Sequence, residues 1–266
     1  MTLQKDTAWP AFLKMEQGSD EWLIFRFSNK MASETPALLG CADFTPKTPL
    51  QLWEIKRGYR EIEDNPAMAF GRKHEAAARR RISEMIGVDF DPVVAQGPDN
   101  FAASLDGWNH EAGVLCEIKC PYTGVQSKTW KLAAEGQIAP AYEYQLQHQM
   151  MVTDTDIAHF CVYEPHTGEV LIITEKRSNE LIDEIRAAWG LFWPYYEADE
   201  APPAGPDDFV VLEDPDAMQL MDDYIEIEHQ LKALEADKKA IRQKLIETAG
   251  ERCVKIGSHK ITRFYK

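Results

Sequence analysis

The sequence predicts an α/β protein: a central mixed sheet flanked by helices, then a C-terminal helical arm and a β-hairpin. Three observations carry this. From Val88 the apolar residues alternate through three short runs, VDFDPVVAQ, FAASLDG and GVLCEIKC, the pattern of a strand meander. The segments before and after the meander return to helical spacing, notably the alanine-rich NPAMAFGRKHEAAARRRISEMIG. Beyond a proline- and acid-rich stretch, one long amphipathic pattern runs from Asp214 to Gly250.

Taken in order, residues 11–40 read as a helix and turn leading into a second helix at ETPALLG. Ser33 is a candidate cap there and Pro36 fits the first turn. A polar loop, CADFTPKTPL, precedes a helix at LQLWEIKRGY. After the meander, residues 122–151 read as helix, IAHFCVYEP and EVLIITEK as two further strands, and Asn179 to about Tyr196 as a closing helix. The expected division is a core over 1–198, a linker over 199–213 and an appendage over 214–266. In the appendage Leu220, Tyr224, Ile227, Leu231, Leu234, Ile241 and Leu245 follow three–four spacing, and Gly257 and Ser258 mark a hairpin turn.

The totals narrow the function classes. The 266 residues carry 44% apolar and 27% charged side chains, an ordinary globular balance. No apolar run reaches bilayer length and the N-terminus lacks a secretory pattern, so the expectation is a cytoplasmic protein without a membrane partner. The five cysteines, Cys41, Cys116, Cys120, Cys161 and Cys253, are odd in number and form no CxxC pair, which disfavours zinc ribbons, disulfide frameworks and iron–sulfur clusters. A net charge of −15 argues against a broad phosphate-binding surface. It leaves room for a local one, because Arg72, Lys73, Arg79, Arg80 and Arg81 face a single acid, Glu75, in one helical segment.

The chemistry concentrates in FAASLDGWNHEAGVLCEIKCP. Glu117 and Lys119 share a face of a strand, and pairing with the preceding run brings Asp106 beside Glu117 ahead of a polar turn. Two carboxylates with an ammonium can hold magnesium and activate water against a phosphodiester; the same residues also make a surface ion pair and a turn. Glu75 either pairs with Arg79 one turn away or faces the sheet and joins the acids. Gln145 and Gln149 lie four apart on one helix face with Tyr142. Arg26 and Ser33 form a candidate anion site, or a surface cation and a cap.

In order and separation, EQGSDEW with Arg26 and MASE, AMAFGRKHEAAAR, ASLDGW, EIKCPYT and YEYQLQHQMMVT resemble the lambda-exonuclease and YqaJ-type viral recombinase nucleases of the PD-(D/E)xK superfamily. The resemblance spans about Glu16 to Val152 and implies a PD-(D/E)xK nuclease core. It implies magnesium, with manganese as a substitute, held by Asp106, Glu117 and the Ile118 carbonyl, with Glu75 completing the acids. It makes Lys119 and Gln145 catalytic, assigns Arg26, Ser33 and Ser104 to a 5′-phosphate, and puts Met68 where the family has a strand-separating wedge. The implied activity is 5′→3′ degradation of one strand of linear double-stranded DNA to mononucleotides, leaving a 3′ tail. A homotrimeric ring and a single-strand annealing partner go with it. The alternatives are a PD-(D/E)xK endonuclease or a non-catalytic DNA-end-binding module. Leu105 stands where the family has proline, which predicts a slightly altered turn.

Overall fold

The computed structural model describes residues 9–15, 18–62, 64–209, 212–249 and 253–261. Its first compact unit runs to Phe209 and among the described residues contains seven strands: β1 (Ala11–Leu13), β2 (Lys30–Met31), β3 (Asp91–Gln96), β4 (Phe101–Asn109), β5 (Val114–Lys119), β6 (Ile157–Glu164) and β7 (Glu169–Lys176). They make one sheet in the order β1-β3-β4-β5-β6-β7, with β2 beside β4. The pairs β2–β4 and β5–β6 are parallel and the rest antiparallel, so the sheet is mixed as expected.

Helices cover both faces. Helix α4 (Pro66–Ile86) begins at an Asn65 cap and ends in a left-handed Gly87, and it buries Ala78 and Ile82 against Cys116, Ile118 and Cys161. On the opposite face α6 (Pro140–Thr153) and α7 (Asn179–Ala198) bury Leu146, Met150, Trp189 and Phe192 with Leu115 and Phe160. Among the described residues four shorter α-helices join them: α1 (Asp20–Ser28), α2 (Thr35–Leu38), α3 (Pro49–Lys56) and α5 (Lys128–Ala134). Of the acid-rich stretch after α7, Asp199 pairs with Arg57 at 3.1 Å and Asp208 accepts from Thr48 and Gln51.

Three expectations change. Residues 11–40 include two short strands, β1 and β2, in addition to helix. Residues 122–151 form two helices rather than one, because Gly136 adopts positive φ and Pro140 opens a new helix. Ser33 caps nothing: it lies inside a 3-10 turn (Ala32–Glu34), and its hydroxyl instead accepts from Arg26 at 3.4 Å.

A buried polar chain ties α2, α6 and α7 together. The Trp189 indole N–H donates to Thr35 Oγ1 at 2.9 Å, and Thr35 in turn contacts His148 Nδ1 at 2.7 Å. The Thr35 hydroxyl has two acceptor lone pairs and one proton, so the His148 tautomer sets which of the two donates, and burial keeps the ring neutral. Burial lowers its pKa to about 3. A histidine that refuses a proton in the fold while the unfolded chain takes one near pH 6.5 weakens the fold as pH falls below 6.5, by about 1.4 kcal/mol per pH unit until about pH 3. Accordingly the His148 ring resonances should stay fixed from pH 7.5 to 5; a titration midpoint near 6.5 would contradict the buried neutral ring.

The second unit contains α8 (Pro215–Ala249) and a two-stranded hairpin, β8 (Val254–Ile256) and β9 (His259–Ile261), with Gly257 at its turn in positive φ. Among the described residues no helix is long and apolar enough to cross a membrane.

Candidate active site

The site forms where β4 and β5 part. Their antiparallel ladder pairs Asn109 with Val114, Trp108 with Leu115 and Gly107 with Cys116, then stops. One step further, Asp106 uses its own carboxylate, Oδ2 accepting the Ile118 N–H at 2.8 Å. On its other edge β4 carries one extra residue against β3: Asp91 pairs with Trp108 but Val93 with Leu105. This bulge lies opposite Pro92, which has no N–H to give a ladder. It turns Asp106 out of strict alternation. The expected turn after Asp106 is therefore a bulge inside a continuous strand, and the chain reverses only at 110–113. Gly107 is required, since a Cβ there would stand 2.5 Å from Cys116 Sγ and 2.9 Å from Phe90 Cβ.

Glu117, 2% exposed, is held from three directions. Lys119 Nζ donates to Oε1 at 2.5 Å, Gln145 Nε2 to Oε1 at 2.9 Å, and Gln149 Nε2 to Oε2 at 2.6 Å. The ammonium of Lys119 also lies 4.6 Å from the centre of the Tyr142 ring, which stacks on Phe160. Burial alone would lower the Lys119 pKa, but Glu117 and its neighbours raise it above the ordinary value, so the group is a cation and not a base.

Glu75 realises both of its readings. It pairs with Arg79, and Arg79 in turn donates from Nε to the Asp106 carbonyl, which draws the pair up to the sheet. Burial, opposed by Arg79 and reinforced by Glu117, raises the Glu75 pKa. Burial, then the charges of Glu117 and Glu75, push Asp106 well above the usual carboxylate range. Glu75 and Asp106 are thus both raised, with Glu117 among the causes, beside one lysine. Among the described residues no three acidic, histidine or cysteine side chains already enclose a cation, because Glu117 faces Lys119 and the amides while Glu75 faces Arg79. The donor chemistry nonetheless fits a hard divalent ion, which needs only one or two carboxylates and keeps its remaining waters.

A second cluster flanks the first. The Arg26 guanidinium lies 4.7 Å over the Trp22 ring, and Trp22 Nε1 donates to Ser104 Oγ at 3.0 Å. Arg26, Ser33 and Ser104 are therefore one neighbourhood with Trp22 as its hub. Behind it Glu34 accepts from Arg26 at 3.3 Å and forms an ion pair with the buried Lys56 at 2.7 Å. Lys56 gives its other protons to the Arg26 and Asn29 carbonyls, closing the end of α1. Along this edge β4 is paired with β2 at Phe101 and Ala102 and with β5 from Gly107 onward, and Ser104 and Asp106 lie in the gap between. Met68 is exposed in the first turn of α4, two turns from Glu75 on the same face.

Sequence reasoning missed Trp22, took Arg79 only as a surface partner of Glu75 without its contact to the Asp106 carbonyl, and undervalued Gln149. The signals were there: Trp22 precedes Arg26 by one turn, and Gln149 follows Gln145 by one turn.

Residues 21–156, just over half of the chain, match the model of the YqaJ-like viral recombinase domain. The chain belongs to that family. Among solved structures, LHK-Exo, an alkaline exonuclease from Laribacter hongkongensis, is 27% identical with a TM-score of 0.58, over 68% of this chain and 94% of that one. The structure of LHK-Exo in complex with dAMP matches with the same TM-score and coverage at 26% identity. A phage-related exonuclease from Haemophilus somnus 129PT, at 17% identity and TM-score 0.53 over 64% of this chain and 94% of its own, shares the fold. No curated protein matches.

Proposed function

We propose that this YqaJ-family protein is a divalent-metal-dependent exonuclease that removes mononucleotides from 5′ ends of linear double-stranded DNA and leaves a 3′ single-stranded tail. The reading is carried by one observation: the Asp106–Glu117–Lys119 cluster and the Arg26–Trp22–Ser104 cluster lie along one unpaired edge of β4, separated by a single residue, Leu105. Two strand residues span about 7 Å, roughly one nucleotide repeat of an extended chain. A terminal phosphate at the second cluster would then put the next phosphodiester at the acids.

Magnesium, or manganese in its stead, held by Asp106, Glu117 and the Ile118 carbonyl with Glu75 beside them, supplies Lewis-acid polarisation and a more acidic water. The chain's own groups do the rest. Lys119 offsets charge as the phosphorus becomes pentacovalent and orients the attacking water. Gln145 holds that water or the scissile phosphate. Arg26, Ser33 and Ser104 bind the 5′-phosphate that each cleavage renews, which gives the direction. Met68, exposed at the start of α4, is the candidate wedge against the terminal base pair. A trimeric ring around the duplex and a single-strand annealing partner for the tail complete the reading.

The test uses linear duplex with phosphate at one 5′ end and hydroxyl at the other, distinct 3′ labels, magnesium, and a closed circle alongside. Shortening from the phosphorylated 5′ end, with the circle intact and Lys119→Ala inactive but still DNA-bound, is the expected result. Cutting of the circle would replace the exonuclease by an endonuclease, and no cleavage with either metal would leave an end-binding module.

A further inference from the structure

The geometry points to α8 as a two-stranded antiparallel coiled coil formed with a second copy of this chain. The helix runs 35 residues, and its large apolar side chains are exposed, Leu220 at 70%, Ile227 at 63% and Leu234 at 65% among them. A helix of this length with an unsatisfied apolar stripe gains its stability from a packing partner. The stripe is a heptad seam: from Leu220 to Leu245 every position at alternating steps of four and three is apolar, except Lys238. A strict seven-residue repeat fits a partner helix at a shallow angle better than a globular surface.

Charge decides what the partner is and which way it runs. Residues 215–231 carry five acids and no lysine or arginine, whereas 232–249 carry five lysines and arginines against three acids. Complementing the helix dipole accounts only for the first and last turns, not for an asymmetry extending over two halves. A second copy laid antiparallel meets each acidic half with a basic half.

The register follows from the seam. Pairing Leu231 with Leu234 of the other copy aligns every apolar layer out to Leu220 against Leu245. It sets Lys238 beside Ile227 and near Glu228, places Asp223 against Lys244, and opposes Glu228 to Glu235. A parallel pair would instead stack Lys238 on Lys238 inside the seam and lay acidic half on acidic half, with Asp223 opposed to Glu228 and Asp237 against Arg242, so the flanking pairs balance and the seam lysine and the charged halves decide. Two lysines stacked in the seam and like-charged halves work against that arrangement, and a closed two-fold contact uses the same surface on both copies.

Two measurements on the full-length protein test this. By light scattering, Leu231→Asp/Leu234→Asp should have half the mass of wild type, a monomer in place of a dimer or, with the first units in the proposed ring, a trimer in place of a hexamer. Both leucines are exposed on α8, so the variant leaves the first unit's core untouched, and an unchanged circular-dichroism melt of that unit checks it. Spin labels, in a Cys41→Ser/Cys253→Ser background, should lie within roughly 10–20 Å of each other at Ala233, near the two-fold axis. At Glu247 they should be roughly 40–45 Å apart, from a rise of 1.5 Å per residue. An unchanged mass overturns the proposal, whether α8 then packs on its own chain or serves a different protein. Equal short distances at both positions would mean a parallel pair and would overturn it as well.

Discussion

Asp106→Asn should lower cleavage of linear duplex DNA by about a thousandfold while raising the melting temperature in metal-free buffer. The two effects have one cause. Asp106 is a carboxylate whose neighbours, Glu117 and Glu75, are carboxylates too, and burial, then those charges, push its pKa well above the ordinary range. An aspartate that prefers its proton in the fold costs stability at neutral pH. Each unit of such a shift is worth about 1.4 kcal/mol. Asparagine keeps an oxygen for the Ile118 N–H and discards the charge, so the fold should gain roughly 2–4 °C for each kcal/mol relieved. The gain should be full above the raised pKa of Asp106 and shrink as pH falls through it, because wild-type Asp106 then takes up its proton. Activity moves the other way, since removing one group that stabilises transition-state charge costs about 10²–10³ in rate or more. Magnesium gives a readout independent of turnover: it should raise the melting temperature of wild type and lose most of that effect in the variant. Cleavage within tenfold of wild type, or a melting temperature that falls, would make Asp106 a structural acceptor and nothing more.

The large elements were legible because their physics is local. The alanine-rich α4, the alternation across β3 to β5 and the apolar runs of β6 and β7 are each visible within a single window, and EVLIITEK coincides with β7. Strands β1 and β2, three and two residues long, are too short to show any period and exist only because β3 and β4 offer them an edge. The pairing of Asp106 with the Glu117 segment could be read from the sequence, but the bulge could not. A bulge depends on what lies across the sheet, here Pro92. Glu75 makes the same point: its spacing to Arg79 announces a helix-surface pair, yet only the Arg79 contact with the Asp106 carbonyl brings that pair to the acids. For Arg26 and Ser33 the residues alone favoured a surface cation and a cap. Trp22 shows what neither residue announces, that Arg26 shares a neighbourhood with Ser104, because the indole lies beneath Arg26 and donates to Ser104, eighty-two residues away.

Arg26→Ala should erase the preference for a 5′-phosphate over a 5′-hydroxyl end, a change of about 10- to 150-fold in the rate of first cleavage. That range follows from about 1.5–3 kcal/mol for a hydrogen bond to a charged group. The fold should tolerate the change. Glu34 keeps Lys56 at 2.7 Å when Arg26 is gone, and the carbonyls that Lys56 binds belong to the backbone. The loss should therefore appear on phosphorylated ends only, with the slower rate on hydroxyl ends preserved, since no group at the Asp106–Glu117–Lys119 cluster is disturbed. Trp22→Phe is the graded companion. It retains an aromatic face under the guanidinium but removes the indole N–H that fixes Ser104, so the preference should weaken by a few-fold and not vanish. An equal loss on both kinds of end would mean that Arg26 supports the structure of α1 instead of reading a phosphate. An unchanged preference would remove this cluster from end recognition and leave the direction of degradation to be set elsewhere along the DNA path.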